Sequence, residues 1–183
     1  EFGPSGNLAF NEPGSQINSS TRLMLLGSES RHNFAKLFHS NEAVPHSAIT
    51  MGISTLLGAK KVIVVGWGET ISPYVRQAIE APASDTVPAS FLQSHKESKF
   101  VLDLSSAEHL TRLSTPWLVT SCEWDDKLIR RAIVWLCRIT GKPILKLTNK
   151  DYNDNGLSEL LALFGSAYNV NIKIFNDLQH TIT

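Results

Sequence analysis

The stretch Gly3-Pro4-Ser5-Gly6-Asn7-Leu8-Ala9-Phe10-Asn11-Glu12-Pro13-Gly14-Ser15 gathers the residue types that do polar chemistry. Its glycines let the backbone turn tightly and present N–H groups, while Ser, Asn and Glu add hydroxyl, amide and carboxylate groups. Such a loop can surround a small polar ligand when it lies at the C-terminal end of a parallel strand. The same residue types also build ordinary surface turns, and spacing alone leaves both readings open.

Elsewhere the chemistry-bearing residues have plainer explanations. His95 reads as a structural or surface histidine, and His32, His39, His46, His109 and His180 are scattered without metal-ligand spacing. Cys122 and Cys137 lack a CxxC partner or a nearby His pair, so no zinc site is expected. Trp124-Asp125-Asp126 looks like a helix start, where acids are favoured by the dipole. Asp151, Asn153, Asp154, Asn155 and Gly156 resemble a calcium loop, but lack its alternation and its twelfth-position Glu. They read better as a turn capping a helix at Leu157. No metal and no cofactor is expected.

These residues must be held by regular elements. Thr21 to Leu26 reads as a strand stopped by Gly27. Ser28 can start a helix with Phe34, Leu37 and Phe38 on one face. Pro45 can begin another, with Ile49, Ile53, Leu56 and Leu57 apolar. Lys61 to Val65, closed by Gly66-Trp67-Gly68, is the apolar run of a strand buried on both faces. A helix over 73–80, a short helix over 89–95 and a strand over 100–104 follow. Then come a helix over 105–112, a strand over 117–121, a helix over 125–139, a strand-like 143–147 and a helix over 157–165. Val170 to Ile182 fits a strand or a helix. The alternation predicts an α/β fold with a mainly parallel sheet flanked by helices.

The chain has 183 residues, enough for one large domain or two small ones. Seventeen basic residues balance seventeen acidic ones, which gives no general electrostatic reason to expect a nucleic-acid or acidic-lipid partner. Hydrophobic residues make up 42% and charged residues 19%, the composition of a globular rather than a disordered chain. No apolar run approaches the ~18–20 residues of a membrane span. Residues 1–6 carry neither the basic start nor the apolar core of a signal peptide, so the cytoplasm is the expected compartment.

The words Gly6-Asn7-Leu8-Ala9-Phe10-Asn11-Glu12-Pro13-Gly14-Ser15 and Ser20-Thr21-Arg22 resemble the signature of glucosamine-6-phosphate deaminases (isomerases). The register continues through Ala48 to Leu57, Lys61 to Gly68 and Ser90-Phe91-Leu92-Gln93-Ser94-His95. The resemblance covers roughly residues 3–103 and implies the C-terminal half of a Rossmann-like, three-layer domain. Residues 104–183 look like an α/β extension or connector in a longer, two-domain bacterial branch in which a deacetylase-like domain follows. The family isomerises an amino-sugar phosphate and releases ammonia, using an Asp–His–Glu ring-opening relay, a proton-transferring Asp and a phosphate cradle.

Carried over, the resemblance implies that Glu12 is the relay Glu and that Asn7 and Ser5 stand where the relay His and Asp would be. An Asn amide can orient a sugar hydroxyl, but has no nitrogen that titrates near neutrality. Gly6 belongs to the same loop, and Gly66 and Gly68 to a second substrate-binding turn. Lys36 aligns with the phosphate Arg, as a point charge rather than a bidentate fork. The phosphate Lys aligns at about Ile71, which offers no cation. Ser15 and Arg22 match an allosteric sugar-phosphate site, weakened by Met24 where a basic neighbour is usual. The implied partner is a sugar phosphate, with a homo-oligomer or an intramolecular contact to the family's N-terminal half. Deamination, or sugar-phosphate binding without turnover, are the two activities expected.

Overall fold

The computed structural model describes residues 2–182; Glu1 and Thr183, the ends of the two expected segments, lie outside them. The chain divides into two compact units, Glu1–Ser114 and Thr115–Thr183.

In the first unit β1 (Arg22–Leu25) precedes α1 (Ser28–Phe38), β2 (Ser47–Thr50), α2 (Ile53–Leu57) and β3 (Val62–Gly66). Then come α3 (Ser72–Glu80), a 3-10 helix over Pro88–Ser94, β4 (Ser98–Leu102) and two short helices, α4 (Leu104–Ala107) and α5 (Thr111–Ser114). Strand β1 pairs antiparallel with β2, Leu23 opposite Ile49. Strand β3 pairs parallel with β4, Val64 opposite Phe100. The α/β class and the parallel pairing are therefore present, with one antiparallel pair beside them. Val64 of β3 and Val75 and Ala78 of α3 are fully buried, together with Ile53, Ala89 and Leu92. The Phe2 N–H donates to Val65 O at 3.0 Å, so the start of the described chain runs against β3.

Three readings of this unit need correction. The helix expected from Pro45 begins only at Ile53, because residues 47–50 find a hydrogen-bonding ladder on β1. Strand β3 is buried on one face only: Ile63 is 57% and Val101 of β4 53% exposed. The helix expected over 105–112 is two separate turns, the first capped by Asp103, whose carboxylate accepts from Ser106 N.

The second unit is helical: α6 (Asp126–Thr140), α7 (Asn149–Asp154), α8 (Ser158–Phe164) and α9 (Ala167–Ile182), with 3-10 turns at Pro116–Leu118 and Ile144–Lys146. Residues 117–121 and 143–147 are thus not strands. A strand needs a ladder partner, and the described residues of this unit contain none. Ile144 and Leu147, three apart, instead turn together toward the core, as 3-10 geometry allows. The ambiguous end of the chain is α9, burying Val170 and Ile174 at the i, i+4 spacing of a helix. The calcium-like segment is α7, held by a capping box in which Thr148 and Asp151 serve each other's backbone N–H.

Candidate functional site

The loop 3–15 packs its polar side chains inward. Ser5, Asn7, Asn11, Glu12 and Ser15 are all buried. Ser5 Oγ donates to Asn7 Oδ1 at 3.0 Å, and Asn7 Nδ2 donates to Ala9 O at 2.6 Å. Ala9 has a φ of +52°, a left-handed backbone that a non-glycine residue adopts only when held, and the Asn7 amide grips its carbonyl. Gly3 makes room for this clasp: a Cβ there would lie 2.0 Å from Asn7 Oδ1. Gly6, at φ +75°, turns the loop against Val87.

Beside this loop lies a cleft of about 390 Å³, lined on one side by Gly3, Pro4, Asn7 and Phe10. Its other wall is α1, which contributes Ser30, Asn33, Phe34 and Leu37, a stripe at i, i+3, i+4 and i+7. The Phe10 and Phe34 rings meet across it, centroids 5.7 Å apart. The Ser30 hydroxyl is buried with no hydrogen-bond partner among the described residues, and so is Glu12 Oε1. Glu12 does not line this cleft. Its Oε2 lies 3.5 Å from where a Cβ on Gly27 would stand, beside the residue that caps α1. A helix N-terminus favours a carboxylate there.

Gly66 and Gly68 close the C-terminal end of β3. Gly66 is closely packed: a Cβ there would come within 2.8 Å of Ile71 Cδ1, so the Ile71 side chain would have to shift. Its carbonyl accepts from Ser106 Oγ at 3.2 Å, and Gly68 N donates to Asp103 Oδ1 at 3.1 Å. Hydrogen bonds from Ser106, side chain first and then backbone, hold the Asp103 carboxyl below the usual range. A second hollow of about 220 Å³ lies at this turn, lined by Phe2, Pro4, Asn33, Trp67, Thr70 and Ile71.

Ser15 and Arg22, the two residues that the resemblance implies for an allosteric site, are hydrogen-bonded to each other. Arg22 Nη2 donates to Ser15 Oγ and Nη1 to Asn11 Oδ1, both at 2.9 Å. Met24 Sδ takes a further contact from Nη2 at 3.6 Å. Lys36 is exposed on α1, one residue before cleft-lining Leu37, and is itself no part of the lining. Sequence reasoning missed Ser30, Asn33, Trp67 and Thr70 as site residues. The helical stripe through Phe34 and Leu37 carries a signal for the first two, and a Trp between two glycines one for the third.

Among the described residues no group of three or more His, Cys, Asp or Glu side chains is placed to hold a metal ion. None of their helices is long and apolar enough to cross a membrane.

No protein-family model matches the sequence. A putative glucosamine-6-phosphate deaminase-like protein of Bacteroides thetaiotaomicron is 66% identical over 182 residues, 100% of this chain and 28% of that protein. The glucosamine-6-phosphate deaminase of Rhodopirellula baltica is 39% identical over 111 residues, 61% of this chain and 44% of the enzyme. Among solved structures, a monomeric glucosamine-6-phosphate deaminase described as a missing link of the NagB superfamily matches with a TM-score of 0.57 and 34% identity. That match covers 58% of this chain and 44% of the other. The fold is the α/β, Rossmann-like fold of the NagB superfamily. Within it, the chain belongs to the glucosamine-6-phosphate deaminase-like family. It spans less than half the length of these relatives.

Proposed function

We propose that this chain serves amino-sugar phosphate metabolism in the cytoplasm by binding an amino-sugar phosphate without the ring-opening relay that deamination uses. The observation that carries this reading is the clasp Ser5–Asn7–Ala9. Both polar atoms of the Asn7 side chain are engaged within the loop, and neither it nor Ser5 titrates near neutral pH. A relay must take a proton from one sugar oxygen and return it to another. Glu12 alone keeps a carboxylate, and it is buried beside the start of α1 rather than in the cleft. The Ser30 hydroxyl, in the cleft wall without a partner among the described residues, is the group free to meet a ligand, and Lys36 offers a positive charge beside the cleft. Ser15 and Arg22 are read as the remnant of an effector site. Arg22 now serves the neutral oxygens of Asn11 and Ser15.

The second reading, a deaminase in which Glu12 suffices, rests on the family likeness. Ammonia release from glucosamine 6-phosphate by the full-length protein separates the two. Binding in calorimetry with no ammonia above background is the expected result; steady release would overturn the binding-only reading. Absence of both binding and release would overturn the sugar-phosphate assignment itself.

A further inference from the structure

Trp67 is 62% exposed, a large apolar side chain left in the open at the C-terminal end of a parallel strand. Ligands of open α/β sheets bind at that end. Its backbone is fixed on both sides, by Ser106 Oγ on Gly66 O and by Asp103 on Gly68 N, and Gly68 has a φ of +88°. The indole is therefore presented from a pinned turn rather than from a loose loop.

The 220 Å³ hollow that Trp67 lines also holds Asn33 and Thr70, and neither side chain has a hydrogen-bond partner among the described residues. Pro4 and Asn33 line both this hollow and the 390 Å³ cleft, so the two adjoin. No charged residue lines either one. An exposed indole flanked by free amide and hydroxyl groups, with no cation in the lining, matches the surface of a pyranose ring. One side of such a ring presents C–H bonds to the negative π-face, and its rim presents hydroxyls.

We infer that Trp67 is the stacking platform for the sugar ring, with Asn33 and Thr70 receiving ring hydroxyls, so that this end of the site recognises the neutral hexosamine ring rather than its phosphate. The inference rests on the proposed sugar-phosphate reading and says which part of the ligand meets which wall. It makes the unphosphorylated amino sugar a ligand in its own right. Trp67 positions the ring and takes no part in proton transfer.

The test is calorimetric titration of the full-length protein with glucosamine 6-phosphate, glucosamine and inorganic phosphate. Wild type is compared with Trp67→Phe, Trp67→Leu, Trp67→Ala and Thr70→Val. Glucosamine affinity is expected to fall about tenfold in the Ala and Leu variants, and to stay within about threefold of wild type in the Phe variant, which keeps a π-face. Thr70→Val should weaken it about threefold, and this milder change decides the matter if a Trp67 variant fails to fold. Glucosamine should also shift the emission of wild type but not of Trp67→Phe, while phosphate alone shifts neither. Equal glucosamine affinity in Leu and Phe variants, unchanged affinity in Thr70→Val, or a phosphate-induced shift would overturn the inference and leave the proposed function standing. Failure of wild type to bind either sugar would overturn both.

Discussion

In the unit Thr115–Thr183, the main polar groups that enter the core arrive with partners. Tyr152 Oη donates to Asn171 Oδ1 at 2.7 Å, and Asn171 Nδ2 donates to Leu147 O at 2.9 Å, all inside a cluster of Ile133, Leu136, Leu157 and Leu160. Burial there pushes the Tyr152 phenol well above its ordinary pKa. Helices α6 and α7 carry side-chain caps, and Gly141 ends α6 in a left-handed turn. Trp117 Nε1 is its one buried side-chain polar atom without a partner among the described residues. The unit Glu1–Ser114 is different. Glu12 Oε1, Ser30 Oγ and Arg31 Nε are buried and unpaired among the described residues, while Leu23, Leu25, Ile49, Ile63 and Val101 stand exposed on strand faces. Unpaired buried polar atoms and bare apolar strands are costs that a fold carries where something else is to bind. One unit is built to be stable, the other to receive.

The comparison breaks most readily in the second unit's core. Leu160→Ala empties a fully buried position and should cost about 2–5 kcal/mol. Denaturant unfolding read by tryptophan emission follows it, since Trp117, Trp124 and Trp135 lie in this unit. A loss below about 1 kcal/mol would mean that this core is not close-packed.

Asn171→Ala strands the Tyr152 hydroxyl and the Leu147 carbonyl, for an expected loss of about 1–3 kcal/mol in the same assay. Next in size is the α7 cap, where Thr148→Ala should remove about 1 kcal/mol. Asp151 gives this cap a pH dependence. Its carboxyl is lowered from 3.8 to about 2, first by Lys142 and then by the Thr148 backbone and side-chain hydrogen bonds. Since the folded value lies below the unfolded one, the contribution is complete above pH 3.8 and fades as pH falls toward 2. Acid unfolding of this unit, followed by circular dichroism, should begin within that window and shift upward in Thr148→Ala.

The smallest effect belongs to the bare strands. Ile63→Thr and Leu25→Thr, both at exposed positions, should change stability by no more than about 0.5 kcal/mol. A larger loss would show that the face is covered in solution, and would sharpen the contrast into one of partnered and unpartnered surfaces.

Local signals read well where they act locally. Gly27 and Gly66 close their strands, Asp125 starts α6 at the expected place, and β3 falls on the apolar run at 61–65, while β4 overlaps the expected 100–104 but ends at Leu102, where Asp103 caps α4. They fail where a distant partner chooses. Residues 47–50 become a strand because β1 lies opposite, and 143–147 become a 3-10 turn because no strand does. Of the site, the loop 3–15 was legible from its glycines and amides. Asn33 was not joined to Trp67 and Thr70, because it stands far from them in sequence and meets them only at the hollow.

The sequence by itself determined the family likeness and the chemistry available at positions 5, 7 and 12, since side-chain type alone fixes what can carry a proton. Tertiary structure decided that the Asn7 amide is spent on Ser5 and Ala9, that Glu12 lies beside the start of α1 away from the cleft, and that Arg22 joins Ser15 and Asn11. Hydrogen bonding and burial depend on where the chain returns to itself, and no local spacing encodes that.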